Sequence, residues 1–283
     1  MAWVAESPGR QPARTRVKDA VPASGGGFRV PVTVVTALAG DGAQTRIMST
    51  ITTEITIGEV AVQSPGASRV FERLGLDYCC GGKRGFAAAC QAKGLDPAAV
   101  LAEIDRENQP SSHAADRDWN VATLSELIDH IVSKHHGFMK TQMPRLDEML
   151  CRIENKHGPK YGELLRPLGA TFRALHEEIS HHLMKEEMVL FPLVRGMEAG
   201  EAGPFHCGSV NNPIRVMTAE HDSAGDALET MRRLTHGYQP PADACTTFRA
   251  FYAGLEEVER DLHQHMHLEN NILFPRAIAL EGR

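Results

Sequence analysis

Two segments of the chain carry the pattern His-x-x-x-Glu-x-x-x-Leu-Phe-Pro. The first runs His182, Glu186, Leu190, Phe191, Pro192, and the second His265, Glu269, Leu273, Phe274, Pro275. In a helix, residues four apart lie on one face a turn from each other, so each His–Glu pair points in one direction. A single such pair is an ordinary solvated ion pair. Two copies, each ahead of Leu-Phe-Pro and each preceded at similar spacing by a further histidine, His136 and His221, point to one site built twice over. His157, in "ENKHGPKYG", is an unpaired extra. Imidazole and carboxylate together suit iron, manganese or zinc. Carboxylates on facing helices that bridge two metals recur in dinuclear bundle proteins. Cysteine is absent from the set, which argues against a structural zinc site. The Leu-Phe-Pro units read as core residues followed by a proline that shapes the helix locally.

The chain has 14 histidines, and the others fit the pattern less well. His135 competes with its neighbour His136 for one ligand position. His181, His263 and His267 flank the ligand histidines on other faces. His130 and His176 read as packing or surface residues, and His113, His206 and His236 fall in linker or loop sequence. Glu178, a turn before His182, and Glu220, next to His221, are candidates to support the site or to line a metal route, though a solvated helix face is the simpler and preferred reading of each.

Cys79 and Cys80 sit in a glycine-rich turn, "DYCCGGKRG". A following helix N-terminus and the charges of Lys83 and Arg84 would favour thiolates, making both candidate reactive thiols. The competing reading packs them as small apolar residues. Cys90 lies on an apolar helix face. Cys151, Cys207 and Cys245 form no pattern. The six cysteines follow no zinc-ribbon or disulfide spacing, so reduced thiols in a cytoplasm are expected.

These residues must be positioned by helices. Residues 1–50 are rich in Pro, Gly and Arg and read as a disordered extension. Met48 precedes the first periodic sequence and is the expected natural start, with residues 1–47 a tail or an over-long reading frame. Residues 51–107 read as a small helical Cys-Cys domain, marginal alone at about 55 residues, with Asp96-Pro97 opening its last helix. Residues 108–118 read as a linker. Residues 119–283 give four apolar-periodic segments separated by Gly, Pro and Asn clusters, with no sustained alternation, so an all-α four-helix bundle is expected. A net charge of −6 gives no electrostatic case for nucleic-acid binding. No apolar run reaches the ~18 residues of a membrane helix.

"LGLDYCCGG", "HHLMKEEMVLFP", "AEHDSAG" and "LENNILFPRA" resemble the iron–sulfur cluster repair di-iron proteins, over about residues 55–283 and in the same order. The resemblance implies an up-down haemerythrin-like bundle after the Cys-Cys domain. It implies two iron ions per chain held by His136, His157, His182, His221 and His265, with Glu186, Glu269 and an oxo or hydroxo group bridging them. It also implies repair of clusters damaged by nitric oxide or oxidants, through iron donation rather than catalysis, with damaged cluster proteins as partners. The rival reading is a haemerythrin-like sensor that binds NO or O2 or reduces NO. A zinc- or manganese-loaded interaction protein is a third reading. A monomer or a homodimer is compatible with all of these.

Overall fold

The computed structural model describes residues 55–64, 66–108, 117–201 and 208–282. The expected N-terminal extension, Met48, most of the 108–118 linker, His113, His206 and Cys207 lie outside the described residues. Those described are helical, apart from turns and a single isolated bridge between Thr56 and Gly85.

Four short helices come first: α1 (Ile57–Gln63), α2 (Ala67–Leu74), α3 (Phe86–Ala92) and α4 (Pro97–Glu107). Local chemistry sets their ends. Thr56 and Glu59 form a capping box at α1. Gly75 closes α2 at φ 64°, a conformation that favours glycine. Asp96 accepts from the Ala98 amide, with Pro97 at the first position of α4. Ile57, Phe71, Tyr78, Phe86 and Cys90 are buried in a core of their own.

The remaining helices form the bundle. The first runs through α5 (Leu124–His130) into α6 (Gly137–Lys185). α6 is not one rod: its backbone breaks at Tyr161 (φ −115°, ψ 19°). Arg173 binds Asp147 at 3.0 Å and Glu154 at 2.7 Å, and Asp147 lies 26 residues earlier. In a straight helix they would be about 39 Å apart, so the chain doubles back. The second bundle helix is therefore the latter part of α6 plus α7 (Phe191–Glu198). The third is α8 (Asn211–Leu234), and the fourth is α9 (Thr246–His267) with α10 (Phe274–Glu281). At one end, Glu198 of α7 accepts from the Leu124 and Ser125 amides at 2.7 and 2.8 Å, and Glu281 of α10 accepts from the Val210 amide at 2.8 Å. Helix ends thus cap the starts of their antiparallel neighbours, and the four run up, down, up, down.

Three π-helical turns interrupt these rods, at Ile131–His136, Glu186–Leu190 and Leu268–Leu273. The last two precede Pro192 and Pro275. Proline has no N–H to give to the carbonyl four residues back and collides with it. Widening the preceding turn relieves that conflict. The bundle interior is also divided. Met139, Leu146, Phe172 and Leu255 belong to one apolar cluster, while Ile131, Leu190, Ile214 and Phe274 belong to another.

The small unit docks against the fourth helix. Asn271 Nδ2 donates to the Tyr78 carbonyl at 2.9 Å, and Gln264 Nε2 to Glu72 at 3.2 Å. The fit is close at Gly82: a Cβ there would lie 2.8 Å from the Tyr78 carbonyl oxygen and 2.9 Å from Asn271 Oδ1. A Cβ on Gly85 would meet nothing within 4 Å. Gly82→Ala is therefore expected to destabilise the chain by about 1–3 kcal/mol. Gly85→Ala is expected to stay within about 0.5 kcal/mol of the parent. Urea unfolding midpoints of the two variants test this.

Candidate metal centre

Between the two apolar clusters six buried polar side chains converge: His136, His182, Glu186, His221, His265 and Glu269, none more than 2% exposed. All four helices contribute. Glu186 reaches in two directions. Its Oε1 lies 3.2 Å from His182 Nε2, and its Oε2 lies 3.4 Å from His136 Nε2 and 3.9 Å from His265 Nε2. Glu269 Oε2 lies 3.1 Å from His221 Nε2 and 3.3 Å from His265 Nε2. The ring nitrogens of His182 and His221 face each other at 3.0 Å. Two overlapping groups result, His136–His265 and His182–His221, each sharing both glutamates, with the donor atoms of each group within 4.8 Å of one another.

Both carboxylates are charged. Burial raises Glu269, yet the imidazoles of His265 and His221 outweigh it and hold the group well below the usual carboxylate range. Burial and the charge of Glu269 raise Glu186, and His182 and His136 again outweigh them. Burial lowers His182, but Glu186 and Glu269 lift it to about 9. Among the described residues, neither oxygen of either glutamate has a hydrogen-bond partner, nor has His136 Nε2 or either ring nitrogen of His265. Buried charges in that state are costly unless a cation joins them. Imidazole and carboxylate donors converging from two sides suit a pair of metal ions bridged by the glutamates.

A surrounding set of groups orients the ligands. His136 Nδ1 pairs with Glu187 at 2.7 Å, and Lys140 Nζ binds the same carboxylate at 2.6 Å. His182 Nδ1 pairs with Glu220 at 2.8 Å, and Lys185 also binds that carboxylate. His221 Nδ1 pairs with Asn270 Oδ1 at 2.9 Å. A proton held on Nδ1 leaves the Nε2 lone pair free for a metal. Phe191 stacks on His136 and Phe274 on His221, at 5.6 and 5.9 Å between centroids. The Leu-Phe-Pro units thus wall the site as well as shape the helices.

His157 does not join this group. It lies 21 residues after His136 on a continuous stretch of helix, roughly 31 Å along the axis. Its Nε2 sits 3.3 Å from Cys245 Sγ, and its ring packs on Phe248. The expectation of five histidines counted residue types without the helical rise, and the structure converges four. Glu187 and Asn270, which hold His136 and His221, belong to no motif in the sequence. Each directly follows a bridging glutamate, and that adjacency was the available signal.

The Cys-Cys turn lies against this centre. Cys80 Sγ is 3.3 Å from the His221 carbonyl and 3.7 Å from Met266 Sδ, while Asn270 Nδ2 donates to the Cys79 carbonyl at 3.3 Å. The two sulfurs are 3.8 Å apart, and Cys79 Sγ is 3.5 Å from Asp77 Oδ1. Asp77, Cys79 and Cys80 form a third group of converging donor atoms. The expected activation by a helix N-terminus does not hold at Cys79. α3 begins only at Phe86, with Gly85 as its cap. The Cys80 thiol, burial and the Asp77 carboxylate push Cys79 well above the usual thiol range.

Residues 127–277 match the family described as the hemerythrin HHE cation-binding domain, and residues 53–108 match ScdA_N, a domain of unknown function. The chain is 40% identical over 226 residues to the iron-sulfur cluster repair protein YtfE of Citrobacter koseri. It is 42% identical over 229 residues to YtfE of Escherichia coli O81. Each alignment covers 80% of this chain and 97% of the relative.

Two outcomes follow from the geometry. His157→Ala is expected to keep the parent's metal content, whereas His182→Ala and His265→Ala are each expected to lose about one ion per chain or more, read by plasma emission spectrometry. In a timed iodoacetamide reaction at neutral pH read by peptide mass spectrometry, exposed Cys151 is expected to be labelled before Cys80 and Cys245 among the described cysteines, with buried Cys79 and Cys90 last.

Proposed function

We propose, for a chain that belongs to the YtfE family of iron–sulfur cluster repair proteins and to the hemerythrin HHE family, that it restores clusters damaged by nitric oxide or oxidants by giving up iron from a dinuclear centre. The observation that carries this reading is the pair of buried, ionised glutamates facing four imidazoles with, among the described residues, no other protein partner for their oxygens. His136 and His265 would hold one iron, His182 and His221 the other, with Glu186 and Glu269 bridging and an oxo or hydroxo group completing the set. Iron is cargo in this reading, and damaged cluster proteins are its recipients.

The chain's own residues prepare that cargo for transfer. Glu187, Glu220 and Asn270 fix three of the imidazoles, and the stacked Phe191 and Phe274 keep water from two of them. Residues 119–283 would be the iron-holding unit and residues 51–107 the Cys-Cys unit, whose candidate reactive thiol Cys80 touches the helices bearing His221 and His265. All six ligands come from one chain, so a monomer suffices and a homodimer is compatible. No helix among the described residues is long and apolar enough to cross a membrane, which suits a cytoplasmic setting.

Protein loaded with iron-57 is expected to hold about two irons per chain, antiferromagnetically coupled by Mössbauer spectroscopy. Glu186→Leu and Glu269→Leu are each expected to lose that coupling. Loaded protein mixed with a cluster-depleted dehydratase should restore activity beyond an equal amount of free iron. Restoration no better than free iron defeats the donation reading, and stoichiometric NO binding without transfer would support the sensor reading instead.

A further inference from the structure

The groups that orient the ligand histidines follow a rule around the bundle. On the second, third and fourth helices, a residue next to that helix's own ligand reaches back to the ligand histidine of the preceding helix. Glu187, beside Glu186, holds His136. Glu220, beside His221, holds His182. Asn270, beside Glu269, holds His221. The circuit should close with the residue beside His136 on the first helix holding His265 on the fourth. That residue is His135, and it does not do so. Its Nδ1 turns to Asp261 Oδ1 at 3.0 Å, one turn before His265 on the fourth helix, and its ring lies parallel to His265 with centroids 5.7 Å apart. Among the described residues His265 Nδ1, His135 Nε2 and Asp261 Oδ2 have no hydrogen-bond partner. His135 is 0% exposed and His265 1%, so solvent does not substitute freely.

We propose that this open corner makes the two halves of the centre unequal, and that the ion held by His136 and His265 is the one released, with the ion held by His182 and His221 staying behind. The inference rests on the reading of iron as cargo and adds which iron it is. The physical basis is preorganisation. A ligand histidine with its far nitrogen hydrogen-bonded is fixed in tautomer and ring angle, and loss of such a partner typically weakens metal binding 10–100-fold. The His182–His221 half has both imidazoles fixed, whereas the His136–His265 half has one. His135 and Asp261 are positioning residues here, acting through what they withhold from His265.

The test uses the full chain loaded with iron-57, reduced under anaerobic conditions and mixed with excess ferrous chelator. Release is expected in two phases of equal amplitude, the first about tenfold faster or more. Anomalous diffraction from crystals of protein stopped between the phases is expected to find the remaining iron between His182 and His221. His135→Asn places on the first helix the side chain that Asn270 supplies on the fourth. It is expected to slow the first phase about tenfold and to alter one of the two Mössbauer doublets. Asn270→Ala, which frees His221 in the same way, is expected to bring the second phase toward the first, and it decides the matter if His135→Asn does not load. A single phase, iron remaining at His136–His265, or an Asn270→Ala variant with the parent's two rates would overturn the proposal. These outcomes are independent of the dehydratase assay, so unequal release can stand where donation fails and the reverse.

Discussion

Two carboxylates buried and ionised at the middle of an apolar bundle are the constraint on which the rest of this structure depends. Neither Glu186 nor Glu269 could stay charged there by itself. Each is held in that state by imidazoles from the surrounding helices, and a shared pair of cations would answer both at once. The demand explains why every helix contributes a histidine, and why supporting carboxylates and an amide stand behind three of them. It also gives the π turns a purpose. They fall at His136, Glu186 and Glu269, where a wider turn lets a ligand face the centre while the chain continues to its next core residue.

Much of this was legible in the chain itself. The i, i+4 pairs are local, so the face shared by His182 with Glu186, and by His265 with Glu269, follows from helical geometry alone. His136 and His221 were found through the repeat. His157 was not excluded, because a list of residue types does not carry the axial rise that strands it near the Tyr161 reversal. Two of the three π turns are written as Leu-Phe-Pro, but the proline's missing donor reads equally as a kink, and the turn at Ile131–His136 has no such mark. The orienting groups depend on which helices are neighbours, a property of tertiary packing. So does the raised pKa of Cys79, which comes from Cys80, burial and the turn around Asp77 rather than from the basic residues that follow in sequence.

The Cys-Cys unit is joined to the metal centre by shared side-chain contacts. Asn270 orients His221 through its carbonyl oxygen and holds the Cys79 carbonyl through its amide nitrogen. One side chain thus touches both the thiol turn and a metal ligand. Cys80 adds a second link, to the backbone of His221 itself. A shift of the thiol turn therefore has a direct mechanical route to the His182–His221 half of the centre.

The division of the bundle interior bears on how the protein holds together. A polar layer across the middle leaves two stubby apolar plugs in series rather than one long one, and neither reaches across to lend its neighbour packing energy. What fastens them is the ligand set. Metal held there would act as a rivet between the two apolar clusters, coupling occupancy of the centre to rigidity of the rods. On the proposed reading of iron as cargo, giving up an ion would also slacken the bundle at its waist, so that empty and filled forms differ in stiffness as well as in charge.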